Sequence, residues 1–243
     1  MNIAVIFAGG RGKRLNDNLD SLPKQYLKID NKPILVHTLL HFQNHPEIDK
    51  IYLSVLPDFK DYTKELIRDY EIDKVANIVD GGSSAQESIY NALVAAADEN
   101  PDESIALLHD GVRPIITDKV ISDNIKSVRN FGNAITAVPC YETILITQDG
   151  EIPNEVPIRK ETFKAQAPQS FRLGEILEAH ENVRKTTERY KNIVDSCTLF
   201  HKLGKKTHLV QGNFGNIKVT TVEDLYILKG ILLFNKEVAN VSV

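Results

Sequence analysis

An excess of positive charge is what this chain most plainly lacks. Its 243 residues hold 29 Lys and Arg against 33 Asp and Glu, a formal net charge of -4, and no basic stripe interrupts that balance. Nucleic-acid binders usually show such an excess or patch, so none is expected as a partner. Any positive charge that serves a phosphate ligand has to be local. Cysteine is nearly absent as well. Cys140 and Cys197 lie far apart with no Cys or His at metal-ligand spacing, and they read as reduced thiols packed as small hydrophobes. Long hydrophobic runs are missing too. The apolar stretch from Ile3 to Ala8 has no basic lead, and it is too short for the core of a signal peptide or a membrane span. Neither repeats nor low-complexity tracts occur. What remains is an ordinary globular composition, 42% hydrophobic and 26% charged, long enough for one large α/β domain or two small ones. The expectation is a cytoplasmic protein with one domain over residues 1–243, and no membrane partner.

Short apolar runs alternate with longer stretches of helical period. Ile3 to Phe7 reads as a buried strand, and Pro33 to Phe42 as a helix opened by proline. Ile51 to Leu56 is a second strand and Tyr62 to Tyr70 an amphipathic helix. Asn77 to Val79 runs into a Gly81-Gly82 turn, followed by helix formers from Ser84 to Ala97. Ser104 to Leu108 is a strand, Thr117 caps a helix through Val128, and Ala134 to Val138 is a further strand. The rhythm breaks between Pro139 and Gln169. Thr143 to Thr147 and the Gly150 turn predict a β-excursion over 139–164 that does not fold alone, an arm suited to packing on a second copy. Strands are expected again at His208 to Gln211 and Ile217 to Thr220, with Thr221 capping a helix from Val222 to about Phe234. The whole is a mostly parallel, Rossmann-like sheet with helices on both faces. Such sheets bind ligands at the carboxyl ends of their strands.

The unusual residues cluster at those ends. The first strand runs into Ala8-Gly9-Gly10-Arg11-Gly12-Lys13-Arg14. Glycines there let backbone N–H groups approach phosphate oxygens, and Arg14 and Lys24 supply local positive charge. The third glycine of a dinucleotide fingerprint is missing, and no Lys-Ser/Thr pair makes a Walker loop. The loop says phosphate without saying which nucleotide; a solvated surface loop would look similar. Lys24 follows Pro23, which fixes the local backbone. His109-Asp110-Gly111-Val112-Arg113-Pro114 follows a strand, where Asp110 can hold Mg²⁺ through one carboxylate oxygen and Arg113 can serve a phosphate. A turn aspartate in a structural ion pair is the competing reading. Lys218 in Asn216-Ile217-Lys218-Val219-Thr220 points away from its apolar neighbours if the segment is a strand; a lysine guarding a sheet edge would look the same.

Taken together and in this order, these pieces resemble the cytidylyltransferase family that contains 2-C-methyl-D-erythritol 4-phosphate cytidylyltransferase and ribitol-5-phosphate cytidylyltransferase. The resemblance runs from Ala4 to about Leu232. It rests on the glycine-rich loop through Arg14, Pro23-Lys24-Gln25, Gly81-Gly82 with Ser88, His109-Asp110 with Arg113-Pro114, Pro168-Gln169, and Asn216 to Thr220. It implies a nucleotide-diphospho-sugar transferase type of fold, CTP and a small polyol phosphate as substrates, and Mg²⁺ at Asp110. Ala8, Gly9, Gly10, Gly12, Arg14, Lys24, Asp110 and Lys218 would hold the nucleotide, with Gly82 and Ser88 lining the cytosine pocket. Arg113, Thr143 and Arg159 would bind the acceptor. Arg14, Lys24, Lys218 and Arg159 would act in catalysis. The arm would reach across a homodimer and bring Arg159 to the partner's site.

The chain departs from the family pattern at Ser83 and Ala85, where an acidic residue and an Arg are usual, at Ala167 in place of Thr, and at Val194 and Ser196-Cys197. Most of these changes fall on the acceptor side. Ile152-Pro153-Asn154 and Gln166 are similar to the ribitol branch, which favours ribitol 5-phosphate over methylerythritol 4-phosphate. A nucleotidyltransferase using another NTP, a non-catalytic nucleotide-binding protein and, last, an NAD-dependent oxidoreductase remain as alternatives.

Overall fold

The computed structural model of the chain describes residues 1–11 and 22–241. Gly12 and Arg14 of the expected phosphate loop lie outside the described residues.

The first strand, β1 (Asn2–Ala8), is buried along nearly its whole length, as a run without polar alternation demands of a strand covered on both faces. Its parity divides the core. Ala4, Ile6 and Ala8 face one layer, and Ile3 and Val5 face the other, because successive side chains point to opposite faces. The first layer is closed by α1 (Ile34–Asn44), α2 (Lys60–Asp69) and α4 (Asp118–Phe131). The second is closed by α3 (Ala85–Ala97), α5 (Leu173–Arg184) and α6 (Ser196–Lys202). The remaining long strands are β4 (Lys50–Val55), β5 (Val75–Asp80), β6 (Ile105–Asp110), β7 (Asn133–Pro139), β10 (Phe163–Arg172) and β11 (Leu209–Gln211). A small hairpin, β2 (Lys28–Ile29) and β3 (Lys32–Pro33), leads into α1.

Side-chain caps set the helix starts. Ser84 accepts from the Glu87 N–H, Thr117 from Val120 and Asp195 from Thr198, each quieting an orphan donor of the first turn. Gly132 ends α4 with a φ of 84°, a left-handed conformation that glycine adopts without a Cβ penalty. The last helix, α7 (Val222–Val241), opens as expected at Thr221, whose hydroxyl accepts from the Asp224 N–H at 3.4 Å.

The seven strands lie in the order β11-β7-β10-β6-β1-β4-β5. β1 pairs in parallel with β4 on one side and β6 on the other, so the chain winds outward, returns, and winds the other way. The switch point is the crevice between the ends of β1 and β6. There Phe7 is level with Asp110.

Three sequence expectations change. β10 is an antiparallel strand inserted between β6 and β7, in the region where the βα rhythm broke. Its exposed start, Phe163-Lys164-Ala165, and its proline masked it; Pro168 is tolerated because the pairing register shifts between Ala165 and Gln169, and bulges are where a strand admits proline. Ile217 to Thr220 is not a strand. The segment crosses the sheet's carboxyl edge as an extended loop, with the Val219 N–H bonded to Val112 O at 3.0 Å. The expected alternation survives without the ladder, since Val219 is buried and Lys218 exposed. Finally, the strand expected over Thr143 to Thr147 is confined to β8 (Ile146–Thr147), which pairs with β9 (Pro153–Glu155) in an exposed hairpin. Among the described residues no helix is long and apolar enough to cross a membrane.

Candidate active site

At the switch point, Asp110 ends β6 with its carboxylate shared between two cations. Lys218 Nζ lies 2.6 Å from one oxygen and Arg113 Nε donates to the other at 2.8 Å. Arg113 also donates to Asn216 O at 2.8 Å, and Asn216 Nδ2 donates to Ala167 O at 2.6 Å. One asparagine thus ties the β10 bulge, the loop after β6 and the segment bearing Lys218 into one frame. Burial pushes the Asp110 carboxyl up, but the Lys218 ammonium and the Arg113 guanidinium outweigh it and hold the group well below the usual carboxylate range. The site therefore presents a fixed negative charge flanked by two positive ones. His109 points the opposite way from Asp110, bonding Arg113 O at 3.1 Å. Burial pushes it down to about 3, so it is neutral at physiological pH and no candidate for a charged ligand.

The glycine-rich loop faces this group. Gln25 Nε2 donates to Ala8 O at 2.6 Å and to Gly10 O at 3.2 Å, pinning the loop from the single 3₁₀ turn of Lys24 to Tyr26. Lys24 sits at the start of that turn, after Pro23. Gly9 and Gly81 meet back to back, and a Cβ on Gly81 would come within 2.9 Å of Gly9 Cα. Glycine is required there for closeness rather than for a special φ. Ser88 closes the arrangement by accepting from the Gly82 N–H at 3.0 Å.

Two cavities meet at Asp110 and Lys218. The larger, about 550 Å³, is walled by Ala8, Gly9, Gly10, Lys24, Gly82 and Ser88, among others. The smaller, about 200 Å³, takes in Arg113, Gln166, Gln169 and Asp195. The sequence departures collect around the smaller one: Ala85, Ala167, Val194 and Ser196 all line it. Small or apolar side chains stand there, and they leave room next to the reactive centre.

Every sequence-predicted nucleotide residue inside the described region thus borders one cavity. Arg159 and Thr143 do not. They hydrogen-bond to each other at 2.9 Å at the base of the hairpin, and Arg159 lines a separate surface hollow with Pro139, Cys140, Tyr141 and Lys160. Sequence reading missed Gln25, Asn216, Gln169 and Asp195 as organisers. Gln169 Nε2 donates to Asp195 at 3.0 Å and its oxygen accepts from Cys197 N at 2.8 Å, which anchors α6 against the bulge. The signal was available in Pro23-Lys24-Gln25, Pro168-Gln169 and Asn216, polar residues next to prolines and apolar runs where an amide can bond backbone.

A family model described as IspD: 2-C-methyl-D-erythritol 4-phosphate cytidylyltransferase matches residues 2–233. A ribitol-5-phosphate cytidylyltransferase of Vibrio parahaemolyticus is 39% identical over 232 residues, covering 96% of each chain. A 2-C-methyl-D-erythritol 4-phosphate cytidylyltransferase of Clostridium botulinum is 38% identical over 231 residues, covering 95% of this chain and 97% of its own. Among solved structures, a 4-diphosphocytidyl-2C-methyl-D-erythritol synthase from Anaerococcus prevotii superposes with a TM-score of 0.82 at 26% identity, covering 96% of each chain.

Proposed function

Because the chain belongs to the IspD family of cytidylyltransferases, we propose that it transfers the cytidylyl group of CTP to ribitol 5-phosphate, giving CDP-ribitol and pyrophosphate. The observation that carries the reading is the Asp110 carboxylate held between Lys218 and Arg113 where the two cavities meet. A reaction that joins two anions needs cations at the point of contact. The larger cavity takes CTP, with its triphosphate along the glycine-rich loop toward Lys24 and its base at Gly82 and Ser88. The smaller takes the acceptor, beside Arg113.

A phosphate monoester is largely dianionic at neutral pH, since its second pKa is about 6. It attacks the α-phosphorus in line without needing a general base. The protein's part is to align the groups and to stabilise charge on the transferring phosphoryl. Lys218 sits at the junction and Lys24 on the wall of the larger cavity, and Arg14 is a third candidate from the sequence. Mg²⁺ is the cation expected with the triphosphate. Among the described residues no group of three or more His, Cys, Asp or Glu could form a dedicated cage. The single ionised carboxylate of Asp110 fits a cation that takes one or two carboxylates and fills its other positions with phosphates and water. Asp110 would hold it, and the ion would supply charge neutralisation on the phosphates.

The choice of ribitol 5-phosphate follows the ribitol enzymes among the relatives and the small residues around the acceptor cavity. Methylerythritol 4-phosphate is the second reading, favoured by the family description and the Clostridium relative. Pyrophosphate release from CTP and Mg²⁺ with each acceptor in turn separates them. A cytoplasmic location, where CTP is made, is the one that fits such a reaction. The arm's exposed Leu145, Ile146, Ile152, Val156 and Ile158 form more apolar surface than a solvated hairpin needs, which supports a homodimer with the arm on the partner. Arg159 and Thr143 would then serve the partner's acceptor site. Light scattering that gives the mass of one chain would remove that part of the proposal.

A further inference from the structure

The turn that would read the base is held from behind by a side chain outside the cavity wall. Glu87, on the first turn of α3, accepts from the Ser83 N–H at 3.0 Å and from the Ser83 hydroxyl through the same oxygen. Its neighbour Ser88 takes the Gly82 N–H at 3.0 Å. A Cβ on Gly82 would overlap Glu87 Cβ, so the carboxylate's stem lies flat against the turn. The Ser83 hydroxyl bond, opposed by burial and helped by the Ser83 amide and Arg184, holds the Glu87 carboxyl below its ordinary range.

The other Glu87 oxygen faces Arg184, which reaches over from the end of α5 to within 4.0 Å. That guanidinium is itself fixed. It stacks on the Tyr90 ring at 4.1 Å and lies close to Tyr190, whose hydroxyl meets His180 Nδ1 at 2.8 Å. The chain of contacts runs from the interior of α5 to the backbone of Gly82 and Ser83. An ordinary capping box returns the carboxylate to the N–H of the capping residue; here it passes Ser84 and grips Ser83. That is one residue nearer the cavity.

We propose that Glu87, braced by Arg184, is a positioning residue for nucleotide selection: it fixes the Gly82–Ser83 backbone so that the turn distinguishes cytosine from uracil. This rests on the reading that the larger cavity binds CTP. The two bases differ only at N3 and the exocyclic group on C4, where donor and acceptor exchange places. Backbone groups discriminate between them only if the turn cannot adjust to either.

The test is calorimetric binding of CTP and UTP to the whole protein, with Glu87→Gln and Arg184→Gln, and Thr117→Ala as a control that removes a helix cap on α4 far from the turn. The expected result is about tenfold weaker CTP binding in the Glu87 and Arg184 variants. Their CTP-to-UTP ratio should shrink, while Thr117→Ala lowers the melting temperature and leaves both affinities alone. If Glu87→Gln melts earlier but keeps the wild-type affinity and ratio, Glu87 is a helix cap only and the proposal is overturned. If the wild type itself does not prefer CTP to UTP, the reading of the cavity fails and takes this proposal with it.

Discussion

Replacing Lys218 with methionine removes one charge and keeps the length of the side chain. In the structure that charge sits 2.6 Å from Asp110 at the junction of the two cavities, where the proposed reaction would build up charge on the transferring phosphoryl group. Deleting one preorganised electrostatic partner of this kind costs about 10²–10³ in kcat, or roughly 2.7–4 kcal/mol. The effect on folding is far smaller. The Lys218 side chain is 42% exposed, so its ion pair is screened and contributes at most about 1 kcal/mol. Asp110 also keeps the buried Arg113 guanidinium, so it is not left as an unpaired buried charge. For a chain of this size a loss of 1 kcal/mol lowers the melting temperature by about 2–4 °C. The assay is pyrophosphate release at saturating CTP and acceptor, beside a thermal melt. A folded Lys218→Met protein within about threefold of wild-type kcat, roughly 0.7 kcal/mol, would refute the electrostatic role. So would a loss of kcat matched by a collapse of the melt, since the residue would then be structural.

Gly82→Ala places a Cβ on top of Glu87 and should cost about 1–3 kcal/mol as overpacking; the Michaelis constant for CTP should rise more than kcat falls, and unchanged kinetics would place the base elsewhere. His180 is buried and neutral, its pKa pushed down to about 3 by burial and then by Arg184. The unfolded chain protonates this residue near 6.5, so its share of stability is intact above that pH and is lost as pH falls from about 6.5 toward 3. The slope is about 1.4 kcal/mol per pH unit. Urea unfolding at pH 7, 6 and 5 should show that slope reduced in His180→Gln, and an identical slope would contradict it.

The βα rhythm was legible because buried parallel strands are short apolar runs and their helices carry the opposite period. The glycine-rich loop, Asp110 and Lys218, whose described residues border one cavity, stood out in the sequence because glycines and charges at the ends of such runs have few structural uses. β10 was not. It enters antiparallel with an exposed start and a proline, and only its partners β6 and β7 make it a strand. Lys218 was assigned to a strand because alternation alone produces the same pattern in an extended loop. The amide framework of Gln25, Gln169 and Asn216 was legible only in part: amides beside prolines and apolar runs mark residues able to bond backbone, but the bonds go to backbone atoms distant in sequence, and residue type does not name such partners.

Pyrophosphate release by the purified protein with CTP and Mg²⁺, offered ribitol 5-phosphate and methylerythritol 4-phosphate in parallel, tests the central claim most directly. The account predicts rapid release with ribitol 5-phosphate and little with the other. Release with methylerythritol 4-phosphate alone would contradict the acceptor, and silence with both, in a protein that does not bind CTP, would contradict the reading of the site.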